Sequence, residues 1–172
     1  MAANPNIRLI LEDRGVKGEH RVRDLHPIGV RVNGKVAPVL EGTKYPTKVV
    51  TKESGHQIVC DPTLAYYSTR LQTERITTAV EARKLSETIG TGINVADPFC
   101  GVGPALAHLV NTHGLVSSIL ASDLNPEAIK LLNENLSKWI GMPSDPEITG
   151  IREWKKGVWS GVAVSYTHLR AH

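Results

Sequence analysis

Between residues 7 and 60, apolar and polar positions alternate in the short runs "IRLILE", "IGVRVNG", "KVAPVL" and "TKVVTKESGHQIVCD", separated by Gly, Pro and Asn. Period-two patterning with that punctuation predicts several short, antiparallel strands. At Leu71 the period changes. "LQTERITTAVEARKLSETIG" sets Ile76, Ala79, Val80, Leu85 and Ile89 roughly on one face of a helix that closes at Gly90, a residue suited to a left-handed cap. "INVADPF" follows as a β-branched strand. "PALAHLVNTHG" reads as a helix opened by Pro104 and closed by Gly114, and "SSILASD" repeats the strand pattern. "NPEAIKLLNENLSKW" predicts a helix with Asn125 as N-cap and Pro126 at its first position, burying Ile129, Leu132 and Leu136.

The order from residue 71 to 140 is therefore α, β, α, β, α, with connections too short for anything but parallel neighbouring strands. That is the first half of a doubly wound, Rossmann-like α/β sheet, preceded by a small β-rich segment. Three segments result: β-rich residues 1–60, an incomplete α/β domain over 61–164, and a tail at 165–172. "GMPSDPEITGIREWKKGVWSGVAVS" offers only a turn, a short strand and a tryptophan-bearing stretch. The closing "SYTHLRAH" continues no pattern and is expected to be non-native.

Composition narrows the class. With 172 residues, 41% hydrophobic and 22% charged, the chain can bury one sizeable core. No apolar run reaches the roughly 18 residues of a membrane span, and "MAANPNIRLILEDRG" lacks the basic start of a signal peptide. A cytoplasmic monomer that contacts no membrane is expected. Cys60 and Cys100 stand alone, and no Cys or His spacing suits a metal, so two reduced thiols and no metal are expected. Five of the histidines (His20, His26, His56, His108 and His113) read as surface or core residues. The net charge is +3, but residues 1–60 carry +4, which makes the N-terminal end the basic one. Such an excess permits RNA contact without specifying it.

The stretch "NVADPFCGVGPALAHLV" carries the chemistry. Gly101 and Gly103 allow a tight strand-to-helix turn and let a ligand approach bare backbone. Leu106 stands where a dinucleotide fingerprint needs its third glycine, and no phosphate-loop motif is present. Two acids remain. Asp123, at the end of the second strand, can accept two hydrogen bonds from a ribose diol, and Asp97, before the glycine turn, can hold a cationic amine. Adenosine plus an ammonium describes S-adenosylmethionine. Upstream, "YYSTRLQTER" sets Arg70 and Glu74 at i, i+4 with Arg75 beside them: an exposed ion pair, or a carboxylate base between two guanidiniums.

In order, "YYSTRLQTER", "VADPFCGVGP" and "ASDLNPEAIKLLNENL" resemble the tRNA (guanine-N1)-methyltransferase family, which acts on the purine next to the anticodon (position 37) in archaea and eukaryotes. "KESGHQIVCDPTLAYYS" extends the similarity over roughly residues 50–140. The resemblance implies a class I, S-adenosylmethionine-dependent fold with tRNA as partner. It implies Glu74 as the base that takes the guanine N1 proton and Arg70 as the residue orienting the target. Asp97, Phe99, Gly101, Gly103, Asp123 and Leu124 would bind the cofactor, and Tyr67 and Arg75 the substrate. The chemistry is coherent, because guanine N1 can accept a methyl group only as its proton leaves.

Two departures stand out. The family's Asn-Pro-Pro motif is absent, and "ITGIREW" puts Ile151 after Gly150, where many members carry an acid. The chain is accordingly expected to be an N-terminal or central fragment with little or no turnover. An aminocarboxypropyl transferase of wybutosine synthesis uses the same cofactor and is the nearest alternative. A non-catalytic RNA-binding module, resting on the basic strands and a Tyr66/Tyr67 stacking platform, is the alternative of another class.

Overall fold

The computed structural model describes residues 4–141 and the backbone of one strand at Val162–Thr167. The N-terminal third is all β. β1 (Leu9–Lys17), β2 (Val22–Val32) and β3 (Lys35–Ala37) form an antiparallel sheet, and β4 (Val49–Glu53) and β5 (His56–Cys60) form a separate hairpin. The hairpin turns through Ser54 and Gly55 at φ 50 and 89, the positive-φ pair that a two-residue turn needs.

A 3-10 turn at Thr69–Leu71 leads into α1 (Gln72–Ile89), which Gly90 closes in the left-handed conformation. β6 (Ile93–Asp97), α2 (Pro104–Val110), β7 (Val116–Asp123) and α3 (Pro126–Ile140) follow in the expected order, and β6 pairs β7 in parallel. Asn125 caps α3 as its sequence foretells, its Oδ1 accepting from Glu127 N at 3.0 Å. The third strand of this sheet departs from expectation. β8 (Val162–Thr167) runs antiparallel to β7, with Asp123 opposite Val162 and Ser118 opposite Thr167. A β-branched run signals a strand but carries no information on direction. Gly150, Ile151 and the last five residues lie outside the described residues.

Among the described residues, two apolar clusters make the core. One joins β6, β7, α2 and α3 through Leu106, Ile119, Leu132 and Leu136; the other joins the β4–β5 hairpin to α2 and α3 through Ile58, Val59, Ala107 and Leu131. Asn135, fully buried on α3, ties the β4–β5 hairpin to the glycine turn before α2. Its side chain accepts from Val59 N at 2.7 Å and donates to Val59 O and Val102 O at 2.9 Å each. The hairpin that ends at the expected boundary, residue 60, is thereby packed on the α/β unit. The first sheet contributes one buried apolar side chain, Val30.

Helices α1 and α2 correct the sequence reading. In α1, Ala79 and Ala82 pack on the core, while Ile76, Val80, Leu85 and Ile89 are exposed. At 100° per residue, Ile76 and Val80 flank the alanine line on one side, and Leu85 and Ile89 flank it on the other. α2 ends at Val110, short of Gly114, where Asn111 Nδ2 and Thr112 Oγ1 donate to the carbonyls of Ala107 and His108. Such side-chain bonds compete with the next helical turn.

Candidate functional site

Strand β6 delivers Asp97 to the carboxyl edge of the sheet, and the chain turns through Gly101 (φ 54) and Gly103 (φ 84) before α2. The two glycines do different work. A Cβ on Gly103 would lie 2.4 Å from Leu132 Cδ1 and 3.4 Å from the Trp139 ring, so this glycine lets α2 start against α3. At Gly101 the nearest atom to such a Cβ is Tyr66 O at 3.8 Å, which leaves the turn open for a ligand.

Asp123 bridges both strand-to-helix turns. Its Oδ2 accepts from Gly101 N at 2.8 Å and its Oδ1 from Asn125 N at 2.9 Å. An ionised carboxylate has about four acceptor positions, so each oxygen keeps one for a ligand. Asp97 Oδ1 accepts from Phe99 N at 3.2 Å. Burial pushes the Asp97 carboxyl above its usual value, and the Asp123 charge adds to the shift against that one backbone donor. Neither acid has an ion-pair partner among the described residues. The corner is electrostatically suited to a ligand that brings hydroxyl donors and a positive charge.

A cleft of about 270 Å³ opens on this corner, lined by Tyr67, Arg75, Phe99, Gly101 and Asp123 among others. Phe99 is 79% exposed there, an aromatic face available to a planar ligand. Leu124 is half exposed at the start of the next turn. Among the described residues no group of three or more His, Cys, Asp or Glu side chains could hold a metal ion.

The upstream motif is arranged differently from the sequence expectation. Arg75 does not flank Glu74; its Nη1 lies 2.7 Å from Glu53 Oε2 and its Nη2 donates to Ser68 O at 3.0 Å. Glu74 is exposed on the first turn of α1 and forms no ion pair with Arg70 or Arg75. Arg70 lines a second, smaller cavity of about 160 Å³. The reason lies one hairpin upstream, in a residue the sequence did not single out.

Glu53, at the end of β4, is buried and takes hydrogen bonds from Tyr67 Oη at 2.8 Å and Arg75 Nη1 at 2.7 Å, with His108 Nε2 at 3.0 Å. Burial alone would raise its pKa, but the bonds from His108, Tyr67 and Arg75 outweigh it and hold the carboxyl below its usual range. An ionised carboxylate only accepts, so His108 carries its proton on Nε2. Tyr67 is pushed well above its ordinary value by burial and by the Glu53 carboxylate that its hydroxyl serves. The His56 ring stands edge-on to His108 at 5.0 Å. Two cleft residues, Tyr67 and Arg75, are thus fixed by one buried acid.

The methyltransferase-domain model described as "TRM5/TYW2 methyltransferase domain" matches residues 49–138, just over half of the chain. The chain belongs to that family. Its β6–α2–β7–α3 unit is part of a class I methyltransferase fold, as the solved structures agree. Trm5b from Pyrococcus abyssi superposes with a TM-score of 0.57 at 28% identity, covering 80% of this chain and 35% of that one. A complex of aTrm5 with tRNALeu superposes with a TM-score of 0.54 at 30% identity, covering 76% and 32%. Among curated relatives, Trm5b of Pyrococcus abyssi, a tRNA (guanine(37)-N(1))-methyltransferase, is 33% identical over 122 residues, which is 70% of this chain and 30% of that protein. The tRNA (guanine(37)-N(1))-methyltransferase 2 of Phaeodactylum tricornutum is 36% identical over 89 residues, 52% of this chain and 14% of that protein. The chain therefore spans between 14% and 35% of the length of these family members.

Proposed function

We propose that this family member binds S-adenosylmethionine at the Asp97–Gly101–Asp123 corner and serves methyl transfer to N1 of the guanine at position 37 of tRNA. The observation that carries the proposal is Asp123, held by Gly101 N and Asn125 N with acceptor positions to spare, beside an Asp97 that has no cationic partner among the described residues. When bound, the cofactor supplies an electrophilic methyl on a sulfonium. Asp123 accepts the ribose hydroxyls, Asp97 holds the ammonium, Phe99 and Leu124 contact the adenosine, and Gly101 gives access. Glu74, exposed at the start of α1, takes the N1 proton as the methyl group arrives, and Arg70 orients the target nucleotide. Tyr67 and Arg75 shape the substrate side of the cleft. The proposal places the protein in the cytoplasm as a monomer.

Methyl rather than aminocarboxypropyl transfer is supported by the relatives, whose names are all those of guanine-N1 methyltransferases. Equilibrium dialysis with methyl-labelled S-adenosylmethionine tests the cofactor. Retention of label that S-adenosylhomocysteine displaces and NADH does not is the expected result. No retention, or displacement by NADH, contradicts it. For the reaction, mass analysis of modified tRNA separates a one-carbon addition from the larger aminocarboxypropyl group.

A further inference from the structure

The tip of the β1–β2 hairpin reaches the loop that carries the upstream motif. Arg23, near the start of β2, lines the 160 Å³ cavity together with Tyr66, Ser68 and Arg70. His20, in the turn between β1 and β2, lines the adjoining 270 Å³ cleft, which shares Tyr66, Tyr67 and Ser68 with the smaller cavity. Three features of this place are unexplained by folding. The Arg70 guanidinium has no hydrogen bond or ion pair among the described residues. His20 Nδ1 is buried without a hydrogen-bond partner among the described residues. Tyr66 is 56% exposed beside both.

We infer that Arg23 and Arg70 form a clamp for one backbone phosphate of an RNA substrate, with Tyr66 beside it as a stacking face. Resting on the proposed tRNA methyltransferase function, this assigns the first sheet a share of the substrate site. Two planar guanidinium forks on different elements, converging on one small cavity, match the oxygens of a phosphodiester. Arg23 also pairs with Asp13 at 3.1 Å, but both side chains are close to half exposed, at 43% and 45%, and such a pair is weakly held. A phosphate with a second arginine behind it competes well for that guanidinium. His20 lines the adjoining cleft, which also reaches Gly101 and Asp123 at the cofactor corner, and the next nucleotide would lie along it.

The test is the salt dependence of tRNA binding by the full 172-residue chain. Each phosphate neutralised contributes about 0.7 to 0.9 to the slope of log affinity against log salt. The Arg23→Ala, Arg70→Ala double variant should lose that one unit of slope. Arg14→Ala, which removes an exposed arginine paired with Glu12, should leave the slope unchanged. Circular dichroism confirms that the variants are folded. An unchanged slope in the double variant, a loss equal to two phosphates, or no RNA binding by the parent chain overturns the clamp. S-adenosylhomocysteine titration of the parent separates the two proposals. Cofactor binding with an unchanged slope refutes the clamp alone, and a reduced slope without cofactor binding refutes the cofactor assignment alone.

Discussion

Glu53→Gln is the substitution that probes the architecture behind the cleft. It keeps the side-chain volume but replaces an acceptor serving Tyr67, Arg75 and His108 with an amide that has one acceptor oxygen and two N–H groups of its own. At least one of the three donors must then face an N–H, and Arg75, whose side chain is 10% exposed, loses its counter-charge. Breaking a buried ion pair from one side costs about 3–5 kcal/mol. Hydrogen bonds to a charged group are worth about 1.5–3 kcal/mol each, but the three here act as one network and do not add. A loss of about 3–5 kcal/mol is expected, a large part of the roughly 5–15 kcal/mol that holds a domain together. Urea unfolding followed by circular dichroism measures it. The pH dependence gives a second readout with a definite sign. Because the folded-state pKa of Glu53 lies below its unfolded value of 4.5, its contribution is present above that value and is lost as pH falls through the folded one. Glu53→Gln should therefore flatten the acid limb of the stability curve. A loss under about 1 kcal/mol, with an unchanged acid limb, would refute the network.

Other outcomes follow from single sites. Gly103→Ala should cost about 1–3 kcal/mol in the same urea assay, because it adds strain at φ 84 to a Cβ that lands 2.4 Å from the buried Leu132; a stability equal to the parent's would contradict the packing role. Burial and the Asp61 charge push the Cys60 thiol up to about 11, and burial with Asp97 and Asp123 pushes Cys100 higher still. Neither should react with an alkylating reagent in the folded protein near neutral pH, and both should react in urea; fast labelling of the native chain would contradict their burial. Burial and the neighbouring His108 lower the pKa of His56 from 6.5, so stability should fall as pH drops below that value. His56→Phe should remove this part of the slope, and an unaltered slope would exclude His56 as its source.

The parts legible in the sequence were those fixed by local chemistry. Asn125 as N-cap and Pro126 at the first position open a helix because an apolar line of helical period follows them, Gly90 ends one, and the two acids at the ends of β6 and β7 fall at the carboxyl edge of a parallel pair. What depended on three-dimensional partners was not legible. Glu53 sits next to a Ser-Gly turn, where an acid reads as solvated, and only folding brings Tyr67, Arg75 and His108 around it. Its pairing with His56 across the hairpin was the available signal, since it put two titratable groups side by side at the end of a buried strand pair. The apolar residues of α1 misled for a related reason. Periodicity finds the apolar side of a helix, but small alanines at Ala79 and Ala82 decide which line makes the close contact. Arg70, Glu74 and Arg75 looked like one cluster from their spacing, and the buried acid on β4 divides them.

In the proposed site the Asp123 carboxylate holds the ribose of the cofactor. Calorimetric titration of S-adenosylhomocysteine into the parent chain and into Asp123→Ala tests it most directly. Measurable binding by the parent and a loss of at least tenfold in the variant, which corresponds to about 1.4 kcal/mol, are expected, with a thermal melt confirming that the variant remains folded. Equal affinity for the two proteins would contradict the assignment of this corner.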